Sequence, residues 1–196
     1  MSEWSGEFDS QAIRNYWQKF YKDNFSIQPT LSKLEIPEPR ECFSWHIVTL
    51  EEVTEQMLYD KCKGLFPCWK WTDKNESLND VLKLDRTSKG THVALFRNRQ
   101  EADEELKNLS ADRLEEKGII GNTLKQRLIM ELDYFLRTGR HLDIDNATLC
   151  VGSRYSDGVV PYVRFRDDRM RVDRGRSRRS RWALALSSAV SLFLIF

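Results

Sequence analysis

The sequence predicts an α+β chain, with helices gathered ahead of antiparallel strands. Residues 124–139 place Leu124, Leu128, Leu132 and Phe135 at helical spacing behind a Thr123–Gln126 capping box, and stop at Gly139. Residues 160–166 and 169–174 instead alternate with period two around Asp167-Asp168, the pattern of a half-buried β-hairpin. From Thr91 onward the segments read strand, helix, helix, strand, hairpin and a closing apolar strand.

At 196 residues, 40 % apolar and 11 % aromatic, the chain has enough material for a core in one domain with an extension, or in two small domains. The expected division is a mostly helical extension over residues 1–88 and a main domain over residues 89–196. Asp9-Ser10 caps a helix that carries Ile13, Tyr16, Trp17, Phe20 and Tyr21 on one side. Pro29, Pro37 and Pro39 then punctuate an extended linker. Thr49-Leu50-Glu51-Glu52 fits a capping box, with Val53, Met57 and Leu58 on the helix behind it and Gly64 at its end. Residues 65–71 read as a short aromatic strand, which accounts for Trp69 and Trp71 without a stacked ligand. Ser77 starts a further short helix.

In the main domain, residues 91–96 form a strand. Residues 100–109 read as an acidic helix with Ala102, Leu106 and Leu109 inward, and Ser110 caps a short helix that ends at Gly118. Beyond the Leu124 helix, His141 reads as a surface or capping residue. Residues 147–151 form a strand and residues 152–158 a loop.

The last third of the chain has its own vocabulary. Residues 154–181 hold ten Arg and four Asp, a balance of +6 in a chain whose total is +1. After Glu131 there is no Lys, Glu or Gln, whereas a solvated surface ordinarily mixes these freely. In the hairpin the alternation puts Val163, Phe165, Met170 and Val172 on one face. The other face carries Tyr162, Arg164, Arg166, Arg169, Arg171 and Asp173 as neighbours. That polar face is the candidate binding surface.

Signatures of catalysis are missing from the sequence. It has no Gly-rich phosphate loop, no HExxH and no GxSxG. Asp143, Asp145 and Asn146 suit a turn, not a calcium loop. His46, His92 and His141 form no constellation, and Cys42, Cys62, Cys68 and Cys150 sit at no zinc spacing. The expectation is therefore a protein that is not an enzyme, with no cofactor and no metal. Without an N-terminal signal peptide, reduced thiols and a cytoplasmic location are expected, surface or membrane display remaining open. Residues 182–196 are fifteen uncharged, mostly apolar residues behind a basic flank. They suit a buried strand better than a membrane anchor, which needs ~20 apolar residues. The run 174–181, with five Arg in eight residues, raises a nucleic-acid partner as an alternative.

The block from Cys150 through Gly152-Ser153-Arg154-Tyr155-Ser156-Asp157-Gly158 to Pro161-Tyr162-Val163, followed by the hairpin and the closing Ser188-Ala189-Val190-Ser191, resembles a known family. It is similar to the variable proteins of diversity-generating retroelements. Residues 101–105 and 134–143 share the likeness, which spans residues 91–196. The resemblance implies a C-type-lectin-like fold, related to that of formylglycine-generating enzymes, after a helical N-terminal extension. It implies a ligand-binding protein whose binding positions are rewritten by adenine-specific miscopying of a template, a process that yields no Lys, Glu, Gln, Met or Trp. Residues 154–181 contain only Met170 from that set, at a position the alternation turns inward. On this resemblance the binding positions are Arg154, Tyr155, Asp157, Tyr162, Arg164, Arg166, Arg169, Arg171, Asp173, Arg174, Arg176 and Arg178. The implied partner is a protein or glycan, acidic in view of the arginines.

Overall fold

The computed structural model describes residues 8–72, 76–85 and 90–175. The first helix, α1 (Ser10–Phe25), begins where the Asp9 carboxylate accepts the backbone N–H groups of Gln11 and Ala12, at 2.8 and 3.0 Å. Its apolar stripe of Ile13, Trp17, Phe20 and Tyr21 is buried. That stripe lies on β1 (Phe43–Thr49), a strand absent from the sequence expectations. Trp17 donates its indole N–H to the His46 carbonyl at 3.1 Å, and the Tyr21 hydroxyl donates to the Val48 carbonyl at 2.6 Å.

The expected capping box at Thr49 does not form. Thr49 is the buried last residue of β1, and Leu50 and Val53 go into the core as the chain turns. The true cap is Thr54, whose hydroxyl accepts from Met57 N at 3.3 Å and starts α2 (Glu55–Lys63), ended by Gly64 as expected. The aromatic strand is present as β2 (Cys68–Lys70), and Ser77 caps α3 (Leu78–Val81), which runs into β3 (Leu82–Asp85). The strand β4 (His92–Arg97) follows and pairs antiparallel with β1.

The expected acidic helix over residues 100–109 is reduced to a single 3₁₀ turn, Glu104–Leu106. Its carboxylates serve tertiary contacts instead. Glu101 accepts the backbone N–H groups of Ile144, Asp145 and Asn146 at 3.1–3.3 Å, and the buried Asp103 pairs with Arg97. Ser110 does cap α4 (Ala111–Glu116). The helix α5 (Leu124–Thr138) carries the complete Thr123–Gln126 capping box and ends at Gly139, which takes the left-handed φ of +68°.

Four strands complete the described residues: β5 (Thr148–Leu149), β6 (Ser153–Tyr155), β7 (Val160–Arg166) and β8 (Arg169–Gly175). The strands form three sheets: a four-stranded one ordered β2-β8-β7-β5, and two-stranded sheets β1-β4 and β3-β6. The chain is α+β. One hydrophobic core runs from Ile13 to Val172, and each of β1, β2 and β3 pairs with a strand from beyond residue 88. The expected boundary at residues 88/89 therefore cuts through all three sheets. The expected closing strand, residues 182–196, lies outside the described residues. Among the described residues no helix is long and apolar enough to cross a membrane.

Candidate functional site

The hairpin β7–β8 turns through Asp167 and Asp168, both with left-handed backbone at φ 53° and 56°. Two consecutive positive φ values give a two-residue turn whose twist matches that of the strands. Asp reaches this conformation more readily than most residues, because its short side chain bonds locally. The register that follows is decisive for the site. Val163 faces Val172 and Phe165 faces Met170 on one side; Tyr162 faces Asp173, Arg164 faces Arg171 and Arg166 faces Arg169 on the other.

The apolar side is anchored. Val163, Met170 and Val172 are fully buried. Phe165 is half-buried, with its N–H on the Asp143 carbonyl at 3.0 Å and its ring flat against His141. Beneath it lies a buried polar network. Arg127 gives Nε and Nη2 to the Asp143 carboxylate at 3.0 and 2.9 Å and Nη1 to Glu131 at 2.9 Å. Asp143 also accepts from the Thr148 hydroxyl at 2.5 Å and from Ala102 N at 3.0 Å. A buried charge persists only when paired and hydrogen-bonded in this way. His141, read from the sequence as a surface or capping residue, belongs to this network through Nδ1 and Glu131 Oε1, 2.9 Å apart.

On the polar side, Arg164 and Arg171 are about a quarter exposed, at 24 % and 27 %, while Arg166 and Arg169 are open. Asp173 sits between the inner pair, 3.7 Å from Arg164 Nη2 and 3.9 Å from Arg171 Nε. Tyr162 stands at the rim, packed against the cluster of Leu149, Val160, Ala111 and Leu114 that α4 lays over this end of the sheet. Burial, and then the Asp173 carboxylate, push the Tyr162 hydroxyl above its ordinary pKa.

The parallel strand β2 adds a residue that sequence reasoning set aside. It places Trp69 beside Arg171, whose guanidinium lies 4.8 Å from the indole. The alternation of Trp69 and Trp71 was visible in the sequence. The long-range pairing that brings Trp69 to the arginines was not.

The remaining expected positions do not join this face. Tyr155 is only 4 % exposed: its strand β6 pairs with β3, and its hydroxyl is buried. Arg154 turns toward α4, donating to the Val151 and Ser153 carbonyls at 2.5 and 3.0 Å and lying 3.8 Å from Glu115. Arg174 shares its register position with Pro161, one residue out of step with Asp173, and so belongs to the opposite face. There it pairs with Asp157 and lies 3.9 Å from the ring of Trp71. Arg176 and Arg178 lie outside the described residues. Six of the twelve expected residues thus share one surface: Tyr162, Arg164, Arg166, Arg169, Arg171 and Asp173.

Chemically this surface offers cations, one carboxylate and two aromatic flanks. Among the described residues no group of three or more His, Cys, Asp or Glu is placed to hold a metal. Burial pushes the Cys68 thiol up to about 12, which keeps it protonated at neutral pH. No protein-family model, no curated protein and no solved structure matches the chain.

Proposed function

We propose that the protein is a non-enzymatic recognition protein, whose hairpin face binds an acidic protein or glycan. In this reading its architecture is C-type-lectin-like and it serves as the variable protein of a diversity-generating retroelement. One observation carries the proposal. Every outward position of the hairpin from Tyr162 to Asp173 is Arg, Tyr or Asp, while the inward Val163, Met170 and Val172 are sealed in the core. A surface side chain exchanges within about ±0.5 kcal/mol, whereas truncating a core Met or Leu costs about 2–5 kcal/mol. Such a hairpin supports rewriting of one face while the other holds the fold.

The test is triple charge reversal, Arg164→Glu, Arg166→Glu and Arg171→Glu, read as binding to immobilised polygalacturonate and to an oligoglutamate peptide. Binding should fall while the melting temperature stays within a few degrees. Unchanged binding, or unfolding of the variant, overturns the assignment of the face. A second test needs only the surrounding genome. A reverse-transcriptase gene and a near-repeat of the 3′ coding sequence, differing at adenines, should lie close by. The nucleic-acid alternative rests on residues 174–181, of which Arg174 is already engaged by Asp157 and Trp71.

A further inference from the structure

The four hairpin arginines form a two-by-two array that is poorly explained as structure. Arg164 stands directly opposite Arg171, and Arg166 directly opposite Arg169. Opposed side chains on a sheet face lie about 5 Å apart and next-but-one neighbours about 7 Å, so like charges set this way destabilise the strand pair.

Two arginines elsewhere show what a close match to acceptors looks like. Arg127 makes three charged hydrogen bonds at 2.9–3.0 Å, and Arg99 grips Glu105 with two at 2.9 and 3.0 Å. The array contrasts sharply. Each guanidinium carries five N–H donors. Among the described residues the four groups make two side-chain hydrogen bonds, both long: Arg169 Nε to the Asp167 carbonyl and Arg171 Nη1 to the Asp167 carboxylate, each 3.3 Å. Arg164 and Arg171 also enclose their Nε atoms with no hydrogen-bond acceptor, a condition that ordinarily costs about 1–3 kcal/mol, more for charged groups. Asp173 lies beyond hydrogen-bonding distance of both.

The array is nonetheless held in place. Trp69 lies under Arg171 at 4.8 Å and Tyr162 beside Arg164 at 5.7 Å, one ring on each flank. Stacked guanidiniums keep their forks oriented, which lowers the ordering cost of binding.

We propose that Arg164, Arg166, Arg169 and Arg171 form a subsite for a tetrahedral oxyanion, a phosphate or sulfate group carried by the ligand of the hairpin face. This rests on the functional reading above. A planar carboxylate is satisfied by a single fork in its own plane. A tetrahedral group presents oxygens in several directions, and forks arriving from two strands meet them. The anion settles on the exposed part of the inner pair, whose side chains are about a quarter exposed, and not on the enclosed Nε atoms.

The experiment titrates the full chain with sodium sulfate, inorganic phosphate and glucose 6-sulfate, following arginine Nε–H resonances at constant ionic strength. Sodium acetate serves as the planar comparison. Saturable shifts at Arg164 and Arg171 with the tetrahedral anions, and weaker ones with acetate, are expected. Arg164→Gln with Arg171→Gln should weaken binding by about tenfold or more. Arg166→Gln with Arg169→Gln, at open positions, should weaken it in the same direction with the fold intact. Arg164→Lys with Arg171→Lys keeps the charge and loses the fork, so it too should bind more weakly. Tighter binding of glucose 6-sulfate than of free sulfate marks an esterified ligand; equal binding marks the free ion. Absence of saturation, glutamine variants that bind as well as the wild type, or full rescue by lysine each overturn the subsite. If polygalacturonate binds while no tetrahedral anion does, the oxyanion subsite fails and the hairpin-face reading survives. If the tetrahedral anions bind and polygalacturonate does not, the subsite stands and the reading of the wider face fails.

Discussion

The imidazole of His141 lies flat on the ring of Phe165, centroids 3.7 Å apart and planes 7° from parallel, while its Nδ1 meets the Glu131 carboxylate at 2.9 Å. One side chain thus joins the inward face of β7 to the buried charge on α5. His141→Ala removes a stacked pair worth about 0.5–1.5 kcal/mol and a hydrogen bond to a charged group worth about 1.5–3 kcal/mol. It should lower the unfolding free energy by about 2–4 kcal/mol in urea titrations. His141→Phe keeps the stack and should cost roughly half as much.

Arg127 is the larger liability. Its guanidinium is the cation for two buried carboxylates, Glu131 and Asp143. Arg127→Met leaves those carboxylates without it and should cost about 3–5 kcal/mol, a large part of the 5–15 kcal/mol typical of a domain. Arg127→Lys should rescue little of this, because a point charge cannot replace a fork that serves two partners. Chemical unfolding of the three proteins decides the matter.

His46 gives the fold a pH dependence. Burial lowers its pKa from 6.5, opposed by the hydrogen bond of Nε2 with the Pro37 carbonyl at 2.7 Å. The unfolded chain therefore binds a proton more readily than the folded one. Stability from this site is full above about pH 6.5, falls as the pH drops below that value, and is exhausted at the lower folded pKa. Within this window the slope cannot exceed about 1.4 kcal/mol per pH unit, the value for one whole proton. Unfolding curves at pH 7.5 and 5.5 should show a smaller difference for His46→Gln than for the wild type.

Arg166 separates stability from recognition. Arg166→Glu replaces a like-charge pair with Arg169 by an attractive one, so the protein should be as stable or about 0.2–1 kcal/mol more stable. The same change should weaken sulfate binding. A variant both less stable and unaltered in binding would mean that the array is structural.

Local signals were legible in the sequence and long-range ones were not. The Thr123–Gln126 box, the Ser77 and Ser110 caps and the inward Val163, Met170 and Val172 all follow from spacings within one segment, and the structure contains each of them. Thr49 misled because it satisfies the capping pattern while strand pairing with β4 claims its backbone. Residues 100–109 misled because Glu101 and Asp103 resemble helix-surface acids, yet each answers donors on other elements. The candidate site divides in the same way. Period-two alternation identified the six residues of the polar face, but the burial of Tyr155 depends on β3, and Trp69 reaches Arg171 only through a parallel pairing across most of the chain.

The turn at Asp167 and Asp168 has a consequence for how the hairpin can vary. Its two positive φ angles exclude β-branched residues and penalise most others by about 1 kcal/mol or more, whatever surrounds them. On the strands, by contrast, an outward side chain answers only to its neighbours. Among the ribbon's exposed positions, the most prominent is thus the least replaceable: a library built on this scaffold can reshuffle the outward flanks freely but must return to Asp, Asn or Gly at the tip.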